Sequence, residues 1–332
     1  MEIFNLGRFE LSTGYILPSA KLAYTTHGSL NPARDNAILF PNFLGGTPEA
    51  LEIWIGEGRP LDPSKYFIIL PGQFGDGISS SPSNTAAPYD RGAFPPVGIA
   101  DDVAAQHRLL TERFGISELQ LVLGWSVGAL QTYGFASRFP EMVRRAASIA
   151  GAPKPSAWTR TWLRIILEEP VISDPAWSNG FYDDRAALHG ALRRQSHGQA
   201  LTFPPSRIYR EELWRDLGFA SVEDFIRGFW EAFMITKDPN DVLCQTRKAI
   251  TADPSDGGDV SGALARITAR MFIVAFTGDP MFTPEDCRRD ADRVPGAVFH
   301  EVASVGGHLA TFALFEQDRK AIDAVLAEVL AA

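Results

Sequence analysis

The stretch Gly124-Trp125-Ser126-Val127-Gly128 decides how this chain is read. It follows the apolar run Leu119-Gln-Leu-Val-Leu-Gly124, and a helical pattern follows it from Ala129 to about Phe139. Strand, tight turn and helix are the setting in which G-x-S-x-G acts as a nucleophile elbow. The glycines allow the sharp turn, and the serine hydroxyl is left projecting from the strand end. Ser126 is therefore the candidate nucleophile, and the rest of the chain must supply its partners.

Working outward, the pattern alternates strands with helices. Ile3 to Leu11 and Lys21 to Gly28 read as a hairpin at a sheet edge, separated by turn residues. Ala37–Phe40 and Tyr66–Leu70 are short, continuously apolar runs, as expected of strands buried on both faces. Glu49 to Glu57 reads as a short helix. The long Gly-, Ser- and Pro-rich loop from Gln73 to Phe94 suggests a functional role. Ile99 to Phe114 carries a helical stripe, and Met142 to Ala150 reads as a strand. Between about 153 and 265 strands disappear, and five of the seven tryptophans fall there: Trp158, Trp162, Trp177, Trp214 and Trp230. Helical patterns occupy Trp158–Leu167, Arg185–Gln195 and Val222–Met234 of this segment. The strand rhythm resumes at Ala269–Phe276, then a helix over Pro284–Val294, a strand over Ala297–Val302 and a final helix over Leu309–Leu330.

These readings predict an α/β fold with a mostly parallel central sheet. The core comes in two parts, 1–152 and 266–332, with a helical lid over 153–265 between the sixth and seventh strands. That layout, with the nucleophile after the fifth strand, describes an α/β-hydrolase.

A serine hydroxyl needs a neighbouring base, and the base needs an acid to fix its tautomer. In this fold the order along the chain is Ser, Asp or Glu, His. Of six histidines, His308 alone follows the last strand, in Ser304-Val-Gly-Gly-His308 and just before the final helix. Asp279 stands at the end of the preceding strand, in Thr277-Gly-Asp279-Pro. Glu285, Asp286 and Asp290 compete with it but sit on a helix, where solvated faces carry such charges. An oxyanion hole requires backbone N–H groups. Val127 should give one, and Phe43 in Phe40-Pro-Asn-Phe43-Leu-Gly-Gly46 the other, with Leu44 as its neighbouring alternative.

Composition narrows the classes. A net charge of −9 argues against nucleic-acid binding. Cys244 and Cys287 are too few for a disulfide framework, lack metal-ligand spacing and read as buried, inert thiols. No metal or bound cofactor is needed for serine-mediated acyl transfer. The first ten residues carry no basic-then-apolar leader pattern, and no run is long enough to span a membrane. A cytoplasmic enzyme is expected.

The chain also resembles the homoserine O-acetyltransferase group. The resemblance is carried by Ile55–Asp62, Lys65–Ile69, Phe94–Asp102, Gln131–Pro140, Pro175–Tyr182, Gly278-Asp279 and Gly307-His308. It implies a ping-pong route through acyl-Ser126, with acetyl-CoA as donor where the reaction is transfer. It also implies a homodimer formed through the lid. Three departures stand out. The elbow carries Trp125 and Val127 where the group has glycine and methionine, placing an indole and a branched aliphatic beside the nucleophile. The oxyanion stretch is Pro41-Asn-Phe-Leu-Gly45 rather than His-Ala-Leu-Thr-Gly. Leu309 follows the histidine where the group has aspartate, a natural partner for an amino acid's ammonium. The lid arginine that the group uses for the substrate carboxylate has no secure match in Arg193 or Arg194. The machinery is retained while acceptor recognition is changed. An esterase or acyl hydrolase acting on a small ester or thioester is therefore expected first. An O-acetyltransferase with a hydroxylated acceptor comes second, and an inactive hydrolase-fold binding protein third.

Overall fold

The computed structural model describes residues 1–332. Eight strands form one sheet: β1 (Glu2–Glu10), β2 (Ile16–His27), β3 (Ala37–Leu39), β4 (Phe67–Pro71), β5 (Leu121–Trp125), β6 (Arg145–Ile149), β7 (Arg270–Phe276) and β8 (Val298–Val302). The order across it is β1-β2-β4-β3-β5-β6-β7-β8. The first two strands pair antiparallel, as do β2 and β4, and every later pairing is parallel. β5 is buried throughout its length, which its unbroken apolar run requires. The parallel strands all point their C-terminal ends at one edge, where the elbow lies.

Every element between β6 and β7 is a helix or turn, including a helix over His189–Thr202 and another over Pro239–Ile250. Two apolar layers cover the two sheet faces, and a third cluster, containing Trp214, Phe225 and Trp230, lies within the inserted segment and reaches Leu309.

Several boundaries differ from the sequence pattern. The strand expected from Met142 begins at Arg145, because Pro140–Met142 closes into a 3-10 turn first. Glu49–Glu57 is a 3-10 helix over Pro48–Trp54. The final helix is broken: Gly307–Phe312 forms a short 3-10 helix, and Glu316–Ala331 the long helix. Ala313 between them takes a left-handed φ of 53°, which ends the first segment. That break lets the histidine turn be oriented apart from the helix.

Candidate active site

Ser126 stands between β5 and the helix Val127–Arg138 with φ 55° and ψ −122°. This strained backbone is held because the surroundings over-determine it. A side chain at Gly124 would collide with the Gly128 carbonyl, and one at Gly128 with the Pro41 carbonyl. Both elbow glycines are therefore fixed by close backbone approach.

His308 and Asp279 meet beside it. His308 Nδ1 lies 2.7 Å from Asp279 Oδ2, and both residues are buried. The other carboxylate oxygen accepts the Met281 and Phe282 N–H groups at 2.8 and 3.0 Å. Phe203 packs edge-on against the imidazole at 4.5 Å between centroids, and Phe282 stacks on it at 5.7 Å. Asp318 secures the loop before it, accepting from Val305 N–H and Gly306 N–H. The Ser126 hydroxyl makes no hydrogen bond to the ring here, a looser arrangement common before substrate binds. Ser126 and His308 nevertheless line one cavity. Glu285, Asp286 and Asp290 are absent from its lining.

The candidate oxyanion loop, Pro41–Gly46, is tied down by three buried glutamines. Gln131 Nε2 donates to the Asn42 carbonyl at 2.9 Å and Gln73 Nε2 to the Phe43 carbonyl at 2.8 Å. Gln245 Oε1 accepts the Gly45 N–H at 2.8 Å while its Nε2 donates to the Gly75 carbonyl. Phe43 N–H donates to Asn42 Oδ1 at 2.8 Å, so the donor expected from the sequence is already engaged. The N–H groups of Leu44 and Val127 have no acceptor within the protein.

The cavity measures about 370 Å³, and 17 of its 24 lining residues are hydrophobic. None of the 24 is Asp, Glu, Lys or Arg, so apart from His308 no ionisable acid or base is there to meet a charged substrate group. Val127 lines it, but Trp125 does not. The indole expected beside the nucleophile instead points into the core, packing on Phe40 and Trp54 at 4.5 and 5.1 Å. Strand alternation explains this: Trp125 is the last residue of β5 and faces away from the cavity. Of the five tryptophans between β6 and β7, Trp162 and Trp230 reach the cavity. Arg193 and Arg194 do not: they pair with Glu231 and Asp174 on the outside. Leu309 is fully buried among Trp214, Phe225 and Trp230.

The thiols have no part in the cavity. Burial pushes Cys244 up to about 12 and raises Cys287 as well, so both stay protonated. Residues 73–94 support the site rather than line it. Through Gln73 and the Gly75 carbonyl they brace the oxyanion loop. No group of three His, Cys, Asp or Glu side chains converges to hold a metal, and no helix is long and apolar enough to cross a membrane.

Most of the chain, from the loop after β3 to the short helix before Ala313, is matched by a family model. The model for the alpha/beta hydrolase fold covers residues 42–312. The chain belongs to the α/β-hydrolase family. Ethyl acetate hydrolase from Pseudomonas veronii is 40% identical, covering 99% of this chain and 95% of that protein. The solved structure of the acetyl esterase MekB superposes with a TM-score of 0.97 at 40% identity, covering 100% of this chain and 96% of that one. Homoserine O-succinyltransferase from Methylibium petroleiphilum is 32% identical, covering 84% of this chain and 79% of that protein. The likeness to esterases is thus longer and closer than the likeness to this acyltransferase, and this α/β-hydrolase is an enzyme of the esterase and acyl-transfer type.

Proposed function

We propose that this α/β-hydrolase cleaves small, uncharged carboxylic esters through an acyl-Ser126 intermediate. The observation that carries the proposal is the cavity: Ser126 and His308 open into an apolar space with no ionic side chain. Homoserine is a zwitterion, and this cavity has nothing to pair with its ammonium or carboxylate. Leu309, where an acid would stand for the amino group, is packed into the apolar cluster of the inserted segment.

In the proposed reaction His308 Nε2 takes the Ser126 proton as Oγ attacks the ester carbonyl. Asp279 holds Nδ1–H and stabilises the imidazolium. The carbonyl oxygen becomes an oxyanion held by the Val127 and Leu44 N–H groups. Phe43 joins them only when its bond to Asn42 is given up. Collapse of the intermediate breaks the ester C–O bond, and His308 returns its proton to the departing alcohol. A water then repeats the sequence on the acyl-enzyme, releasing the carboxylic acid and restoring Ser126. Donors of this kind, aimed where charge develops, are each worth roughly 3 kcal/mol of barrier.

No cofactor enters this scheme, and the proposed setting is the cytoplasm. Association of two copies through the lid, where Trp158, Ile165 and Leu201 are exposed, belongs to the same proposal. Sedimentation of the purified chain tests that part.

The test of function is incubation with ethyl acetate or p-nitrophenyl acetate, and separately with acetyl-CoA plus homoserine and other hydroxylated acceptors. Release of free acid without acceptor dependence is expected. CoA release that requires an acceptor would establish the transferase alternative instead.

A further inference from the structure

The position of His308 locates the alcohol side of the cavity. Its ring must hand a proton to the departing alcohol oxygen, so that part of an ester lies against the imidazole. The neighbour packed edge-on there is Phe203, 4.5 Å away between centroids. Phe203 closes the helix His189–Thr202, and its N–H donates to the Gln199 carbonyl at 2.8 Å. Gln199 therefore sits one helical turn back, on the same face and about 5.4 Å along the axis.

Gln199 is a polar side chain in apolar company. It lines the cavity and is 7% exposed. Its Nε2 reaches only the Gln195 carbonyl, at a long 3.4 Å. Turning the amide over would set its oxygen against that carbonyl, so the oxygen is the atom left for the cavity. Oε1 accepts nothing from the protein, and it is not among the sealed polar atoms. A hydrogen-bond acceptor left open in such a space is favourable only when a donor meets it.

We infer that Gln199 recognises a hydroxyl group carried on the alcohol part of the substrate. The inference rests on the esterase reading and adds a substrate class to it: acetate-type esters of diols, with four or five carbons between the ester oxygen and the free hydroxyl. That span crosses Phe203, which packs on His308, and ends at the residue one helical turn before Phe203. The alkyl ester of equal length brings a methyl group to the same amide oxygen and leaves it unpaired.

The test uses ω-hydroxyalkyl acetates of two to five carbons, each against the alkyl acetate with methyl in place of hydroxyl. The quantity read is the kcat/KM ratio within each pair. For wild type the ratio is expected to peak at four or five carbons, and to fall by about tenfold there in Gln199→Leu and Gln199→Met. Thermal unfolding and fluorophosphonate labelling of Ser126 establish that each variant is folded. A second measurement needs no variant: butane-1,4-diol should inhibit wild type more strongly than pentan-1-ol as a competing product. Ratios that are the same in wild type and both variants, or equal inhibition by diol and alcohol, overturn the role of Gln199. Failure of wild type to hydrolyse any of the acetates overturns the esterase reading itself.

Discussion

Asp279 divides its carboxylate between His308 and its own turn: Oδ2 lies 2.7 Å from His308 Nδ1, while Oδ1 accepts two backbone N–H groups. The acid cannot swing away without unpairing Met281 and Phe282, so its direction towards His308 is fixed by the backbone. Asp279→Asn preserves the oxygen that accepts from the turn and replaces the other with an N–H donor. His308 Nδ1 must then accept, which moves the ring proton to Nε2 and removes the base that Ser126 needs. A fall in kcat of roughly 10³- to 10⁴-fold, with the thermal midpoint little changed, is expected. Steady-state hydrolysis of p-nitrophenyl acetate checks this, and a loss below tenfold would contradict the assigned role.

In the proposed mechanism Ser126 is the point at which the chemistry becomes covalent. Ser126→Ala should abolish labelling by a fluorophosphonate probe and lower kcat by roughly 10⁶-fold, since nucleophile and base act as a unit. His308→Ala should cost a similar factor, and the double variant little more. Additive losses in the double variant would mean that the two residues do not share one step.

The clamp on the oxyanion loop predicts a different signature. Gln245 joins Gly45 N–H to the Gly75 carbonyl and is itself buried. In Gln245→Leu both backbone groups lose their partner, at roughly 1–3 kcal/mol each, so the thermal midpoint should drop. Release of Gly45 also loosens the neighbouring Leu44 N–H. kcat is expected to fall by about ten- to a hundredfold while KM changes less, because the oxyanion exists only after attack. A variant with lowered stability but full kcat would show the clamp to be structural only.

How much of this was legible in the sequence follows from what kind of signal each residue leaves. That Asp279 would meet His308, and that His308 would share a cavity with Ser126, was readable because each follows a strand pattern with glycine within two residues, in the order the fold requires. The sheet was readable because buried parallel strands are continuously apolar. Trp125 misled: adjacency to Ser126 in sequence suggested adjacency in the site, but the pleat turns neighbouring side chains to opposite faces. That Phe43 N–H is engaged by Asn42 Oδ1 was not legible either, because the bond depends on a side-chain rotamer that no pattern records. The roles of Gln73, Gln131 and Gln245 as a clamp on the candidate oxyanion loop left no signal. The three are ordinary residue types on separate elements, and Gly45 and Gln245 are 200 positions apart.

Buried carboxyls give the last prediction, on stability against pH. Asp241 accepts from Ser83 N–H at 3.1 Å and Ser83 Oγ at 2.6 Å, but burial, with Asp238 nearby, pushes its carboxyl up to about 7. An unfolded aspartate titrates near about 3.9. Between those values the folded chain holds a proton that the unfolded chain has released, so folding is favoured at the acid end of the window. Stability therefore declines as pH rises from about 4 to about 7, by at most about 1.4 kcal/mol per pH unit for this one group. Asp102, raised to about 6 by burial despite its contact with Lys248 at 2.6 Å, acts in the same direction over a narrower window. Asp241→Asn keeps an oxygen for Ser83 and removes the titration. Its denaturant midpoint should be flatter than that of wild type between pH 5 and pH 7, measured at constant ionic strength. A variant whose slope over that window equals the wild-type slope would show that Asp241 is ionised in the folded chain throughout.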